Sequence, residues 1–229
     1  MHMQNTTYKV ANYHHLTGAK ALFALIFVLL AGCALPQPPA RPTVYDFGPG
    51  LTTAPITTPT THRMAPLPPI ALAEVSASPA LDSTAVLYRL AYADAFELRP
   101  YAQARWSMAP AQLLHQRLSD GLGLHHVVLD ADGTAAPAPR LLRVTLEEFS
   151  HLFETPERSV GLLRLRATVF EATGVGERVL AQRSIVVQRP AASATAAGGV
   201  RALAAATDAA VAELGQWLAQ MPLSAQPKE

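Results

Sequence analysis

A single cysteine, no run of basic residues and no apolar stretch of spanning length are the scarcities that bound this chain first. One cysteine excludes an internal disulfide framework. Eighteen basic residues against seventeen acidic leave a net charge of +1 without a basic cluster, so the electrostatic footprint of a nucleic-acid binder is missing and nucleic acid is not expected as a partner. The apolar run "ALFALIFVLLAG" at 21–32 is shorter than the about 20 residues that a transmembrane helix needs. Also missing are a nucleophile elbow, a phosphate-cradling glycine loop and a His-Glu-x-x-His helix. No catalytic residue, no metal site and no cofactor are therefore expected. What remains is 229 residues, half of them hydrophobic, with 19 prolines, a composition that suits one folded domain with Pro-rich flanks.

The amino terminus has an order of its own. Residues 1–20 carry Lys9 and Lys20 and no acid, the apolar run follows, and a polar, Pro-rich segment starts directly behind Cys33. This is the grammar of a secretory signal over residues 1–32. The stretch "LAGC" (30–33) resembles the lipobox of bacterial lipoproteins. That resemblance implies cleavage before Cys33 and acylation of Cys33, palmitate included; an ordinary signal peptide that happens to contain a cysteine is the alternative. Several acyl chains fit the physics, because each buried CH₂ contributes about 0.8 kcal/mol and stable anchoring takes more than one chain. Ala34 stands where an Asp would resemble the inner-membrane retention signal, which favours the periplasmic face of the outer membrane.

Residues 33–69 read as a lipid-anchored Pro/Thr-rich tether, with "PQPPARP", "TTAPITTPTT" and "APLPP" favouring extended, solvated chain. Val44, Tyr45 and Phe47 are too apolar for a pure spacer and mark a part that docks. The folded domain is expected over 70–220, with a flexible tail at 221–229. "IALAEVSA" (70–77) predicts a strand, and "AVLYRLAY" (85–92) with "AFELRPY" (95–101) a hairpin around Ala93-Asp94. "WSMAPAQLLHQRLSDGLG" (106–123) predicts a helix capped by Ser107, with Pro110 in its first turn and Leu113, Leu114, Leu118 and Leu122 at helical spacing. "HHVVLD" (125–130) is a short strand.

Three longer strands follow, at 140–154, 160–172 and 178–189. Leu142, Val144 and Leu146, then Leu163, Leu165, Ala167 and Val169, then Val179, Ala181, Ile185 and Val187 form their apolar faces, the last interrupted by Arg183. "TPER" (155–158) and "TGVG" (173–176) are the turns between them. An amphipathic helix closes the chain over about 197–220, its stripe made of Leu203, Thr207, Ala210, Leu214, Trp217 and Leu218. The fold class that follows is α/β in the α+β sense: a two-layer sandwich of a mostly antiparallel sheet with two helices on one face.

"ALDSTAVLYRLAYADAFELRPYAQARWSMAPAQLL" (80–114) resembles the ABC-type transport auxiliary lipoprotein family, which includes the paraquat-inducible C-like proteins. The features that carry it are Leu81-Asp82, Tyr88-Arg89, Tyr101, Arg105-Trp106 and Pro110 before Leu113-Leu114. "YDFGP" (45–49), "LEEFSHLF" (146–153) and Trp217-Leu218 also fit, so the resemblance runs from about 43 to 220. It implies a periplasmic subunit working with an ABC permease and ATPase and a lipid-binding protein of the mammalian-cell-entry type. Phospholipid is then a possible cargo, and the subunit serves as docking or scaffold component between membranes. A periplasmic lipid-binding carrier is the alternative, and an envelope hydrolase the third reading.

Within that block Tyr88, Arg89, Tyr101, Arg105 and Trp106 concentrate side chains typical of interfaces and are the expected partner surface. Tyr88 and Trp106 in the core, with Arg89 in a structural ion pair, is the competing expectation. Other chemistry is weaker. His125-His126 would point to opposite faces of a strand, "DADG" (130–133) lacks the remaining oxygen ligands of a calcium loop, and Glu147-Glu148 are expected on opposite faces.

Overall fold

Alternating apolar residues build a sheet, and helical spacing lays two helices on it. The computed structural model describes residues 41–50, 67–131, 140–173 and 176–222. In chain order the elements are β1 (Thr43–Tyr45), β2 (Leu67–Leu72), β3 (Ser76–Ala77), a 3-10 turn (Pro79–Leu81), β4 (Ala85–Leu90), β5 (Arg99–Trp106), α1 (Pro110–Gly123), β6 (His126–Asp130), β7 (Arg140–Phe153), β8 (Ser159–Thr173), β9 (Gly176–Pro190) and α2 (Ala196–Ala219). The class is α+β, a curled sheet with two helices. Among the described residues no helix is long and apolar enough to cross a membrane.

β7, β8 and β9 form an antiparallel meander that is the spine of the sheet. The other edge of β7 takes three short strands in succession, all parallel to it: β2 at Leu141-Leu142, β3 at Thr145-Leu146 and β4 at His151–Phe153. β5 returns antiparallel along β4, β1 adds parallel to β5, and β6 adds parallel to β2. Long ladders are thus antiparallel, as the alternation predicts. The parallel joins come from crossovers of the chain, which alternation does not encode.

The expected apolar faces of β7 and β8 are buried throughout, from Leu142 to Leu146 and from Leu163 to Val169. Two bulges change the phase. One leaves Glu147 as an extra residue between the pairs Leu146↔Leu165 and Glu148↔Arg164. A bulge admits one residue without a partner and shifts alternation by one. Phe149, His151 and Phe153 therefore continue the inner face, and Glu147 and Glu148 both stay on the outer one, which corrects their expected separation. The other bulge lies at Leu180, between Ala181 and Val179, and it puts Val179 in solvent at 57% exposure. Arg183 does interrupt the inner face of β9, and it reaches Glu213 of α2 at 2.8 Å.

The two helices begin differently. Thr195 caps α2 by accepting from the Gly198 amide at 3.2 Å, and Leu203, Thr207, Ala210, Leu214 and Leu218 are buried, with Trp217 packed beside them. α1 starts later than its sequence signals indicate, at Pro110 with Ala109 as an uncapped N-cap. Trp106 belongs to β5, because β1 pairs alongside it and the Ser107 amide donates to the Tyr45 carbonyl rather than Ser107 capping the helix. The hairpin forms with its second strand shifted to Arg99–Trp106. The strand expected at 70–77 starts at Leu67 and breaks over Ala73–Val75. Of the turns, 174–175 and 132–139 lie outside the described residues.

The segment between the predicted anchor and the sheet docks at its far end. β1 pairs with β5, Phe47 is buried, and its ring meets Trp106 edge-on at 5.5 Å and Phe149 at 5.7 Å.

Candidate partner interface

The β4–β5 hairpin presents the five residues expected to meet a partner, and the structure divides them. Trp106 is 2% exposed, wedged between Phe47 and Phe149. This corrects its place in the interface: its inward phase on β5 makes it core. Tyr88 and Tyr101 lean ring on ring at 4.5 Å and are half-buried. Arg89 pairs with Glu148 at 3.5 Å and donates to the Ala95 carbonyl at 2.8 Å. Arg105, also half-buried, donates to the carbonyls of Tyr101 and Ala104 at 2.5 and 2.7 Å. Cys33 lies outside the described residues.

Behind Tyr101 is a buried polar chain that gave no motif in the sequence. The Tyr101 hydroxyl lies 2.8 Å from His151 Nδ1, and His151 Nε2 lies 2.7 Å from Ser159 Oγ. Burial holds the His151 pKa down at about 4, and burial followed by the neighbouring Tyr88 raises that of Tyr101. In the neutral ring one nitrogen donates and the other accepts, and since each hydroxyl can do either, both neighbours are satisfied in either tautomer. Serine, histidine and tyrosine in line resemble a nucleophile with its base. Both His151 and Ser159 are sealed, however, and a Cβ on Gly199 of α2 would meet His151 Nδ1 at 2.3 Å. The chain ties β5, β7 and β8 together and offers a substrate no approach.

A measurable consequence is a pH dependence. With the His151 pKa near 4 in the fold and about 6.5 in the unfolded chain, only the unfolded chain takes up that proton between the two values. The contribution is complete above pH 6.5, and on the order of 3 kcal/mol of it is lost as pH falls to 4. Urea unfolding across that window should show this loss in the wild type and a shallower slope in His151→Gln. Superimposable profiles would remove His151 from the account.

A second buried polar group holds the docked segment. Arg117, on the apolar stripe of α1, is 5% exposed. It donates to the carbonyls of Phe47 at 2.6 Å and Gly48 at 3.1 Å, and meets Asp208 of α2 at 3.4 Å. A charge among leucines at helical spacing was the signal for it. Burial raises the Asp208 pKa, and Arg117 opposes that rise.

The remaining candidates separate. His126 Nδ1 lies 2.9 Å from the Pro68 carbonyl oxygen, while His125 is exposed. No group of three or more His, Cys, Asp or Glu among the described residues could hold a metal ion. Glu147 bonds Arg166 across the outer face, and Glu154 pairs with Arg158. The most exposed part of the block is the loop Ala91–Leu98, with Tyr92 at 48% and Phe96 at 95%.

Fold and surface describe an α+β domain whose buried serine–histidine–tyrosine chain and buried arginine tie its own elements together. The chain belongs to the family of ABC-type transport auxiliary lipoprotein components, which matches residues 50–215. Membership makes it a lipoprotein accessory to an ABC transport system of the bacterial envelope, in a family not known for catalysis. Among solved structures it is similar to a Xanthomonas campestris protein of family DUF330, at 20% identity and a TM-score of 0.55, over 66% of this chain and 83% of that one. It is also similar to an uncharacterized protein, at 11% identity and a TM-score of 0.58, over 78% and 99%. Identities this low speak for the fold alone. No curated protein matches the chain.

Proposed function

We propose that this protein is a lipid-anchored periplasmic subunit of an ABC-type lipid transport system. It is held by acylated Cys33 in the outer membrane and serves as a docking or scaffold piece for a mammalian-cell-entry-type protein and its permease and ATPase. Family membership supports the transport setting. The observation that carries scaffold over carrier is the closure of the helix–sheet layer. A Cβ on Gly161 of β8 would lie 2.5 Å from Ala202 C and Leu203 N, so backbone packs directly on backbone between α2 and β8 and leaves no room there for an acyl chain.

Arg89 and Arg105, with the exposed edges of Tyr88 and Tyr101, form the partner surface in this reading. Crosslinking the native lipoprotein in its membrane, then identifying the attached chains, tests it. Transporter components should be recovered with the wild type and several-fold less with Arg105→Glu. Recovery without any transporter component, or co-purified lipid in the domain, overturns the scaffold reading.

A further inference from the structure

We propose that the loop Ala91–Leu98, with Phe96 at its tip, inserts into the surface of the bilayer that holds the acyl chains of Cys33. The inference rests on the lipid anchor proposed above and adds a second, non-covalent contact of the domain with that bilayer.

Phe96 is 95% exposed and Tyr92, on the same loop, 48%. A lone exposed apolar side chain needs no explanation; two aromatics on a braced loop call for one. The amides of Ala93 and Asp94 both donate to the Leu90 carbonyl, at 2.9 and 2.8 Å. The Phe96 amide donates to Asp94 Oδ1 at 2.8 Å, and Arg89 holds the Ala95 carbonyl at 2.8 Å. The loop is preshaped, and its shape turns Phe96 outward.

Chain direction puts this loop at the end of the sheet from which the chain enters β1. β1 runs parallel to β5, with Thr43 opposite Ala104. The chain leading to Thr43 therefore comes from the Arg99 end of the hairpin, where the loop lies. The β7–β8 turn at Glu154–Arg158 is at the same end, since β4 is parallel to β7 and Leu90 lies opposite Phe153. Reach is limited as well. The ten residues from Cys33 to Thr43 extend to about 35 Å at most. Acyl chains on Cys33 therefore hold Thr43 within about 35 Å of the bilayer surface.

The charged pairs at this end, Glu97 with Arg99 and Glu154 with Arg158, neutralise each other, and Asp94 spends one oxygen on the Phe96 amide. An exposed phenylalanine and tyrosine on one loop suit the boundary between headgroups and acyl chains.

The one native cysteine is consumed by acylation, so Phe96→Cys supplies a unique thiol for an environment-sensitive maleimide fluorophore. Val179→Cys, 57% exposed at the opposite end, is the control. The acylated full-length protein is placed in phosphatidylethanolamine–phosphatidylglycerol vesicles carrying nitroxide-labelled acyl chains, and the lipid on Cys33 is verified by mass. Blue-shifted emission and loss of fluorescence at position 96, with neither at 179, are expected. Solvent-like emission at both positions, with the acyl mass present, overturns the inference and leaves the anchor standing. Blue-shifted but unquenched emission at 96 marks a protein cover and also overturns it. Absence of the acyl mass overturns anchor and loop together.

Discussion

Arg117→Ala is expected to undock the first strand and to destabilise the domain by about 3 kcal/mol, the scale for removing one partner of a buried charged network. The size follows from what the guanidinium does. It is the group on α1 that bonds the carbonyls of Phe47 and Gly48, and it meets Asp208 on α2. The ionic contact is the lesser part: Asp208 Oδ1 makes no hydrogen bond, and its side chain is 30% exposed. Asp208→Asn should therefore cost under about 1 kcal/mol, and Arg117→Lys, which keeps the charge and loses the planar fork, should fall between.

The readout is hydrogen exchange at Ser107, whose amide is bonded to Tyr45. Its protection should collapse in Arg117→Ala while β8 amides stay slow. An unchanged midpoint of unfolding with Ser107 still protected would show that β1 is held without Arg117. The functional stake is distance. In the anchored arrangement proposed above, ten residues separate Cys33 from β1 and thirty-four separate it from β2 at Leu67, so releasing β1 raises the greatest possible span from about 35 Å to about 120 Å.

That clasp also marks how far the sequence was legible. Alternation in β7 and β8 and the leucine spacing of α1 gave their core residues directly, because each periodicity maps onto one buried face. Bulges at Glu147 and Leu180 broke the mapping: an extra residue in one strand is visible only against its partner. Trp106 was misplaced since Ser107 and Pro110 imitate a helix start, and only the pairing of β1 with β5 shows that the strand runs on. The Pro/Thr-rich composition around β1 signals solvated chain, and the docking of Phe47 depends on Arg117, seventy residues later. The same holds for Tyr101, His151 and Ser159, which come from three strands and meet through topology. Of the expected interface, Arg89 sits in the ion pair with Glu148 that was the competing expectation, and the exposed aromatics of the block are Tyr92 and Phe96.

Gly161→Ala should destabilise the domain by about 2 kcal/mol, and Gly161→Leu should prevent α2 from seating. Two effects oppose each other in the alanine variant. Removing a strand glycine gains roughly 0.5–1 kcal/mol of chain entropy, and overpacking costs about 3 kcal/mol when neighbours cannot yield. Here they cannot, because the atoms in the way are Ala202 C and O and Leu203 N, at 2.5, 2.8 and 2.5 Å, and backbone has no rotamer to turn to. The helix would have to lift as a body, exposing Leu203, Ala206 and Ala210, which are now fully buried. Gly123, with nothing within 4 Å of its would-be Cβ at the end of α1, is the control: alanine there should stabilise by roughly 0.5–1 kcal/mol. Denaturant midpoints that move in the same direction for both glycines would sink this account of the layer. The opposite signs expected follow from a lining of backbone on both sides, and a carrier that opened along α2 to admit an acyl chain would have to break this same contact on every cycle.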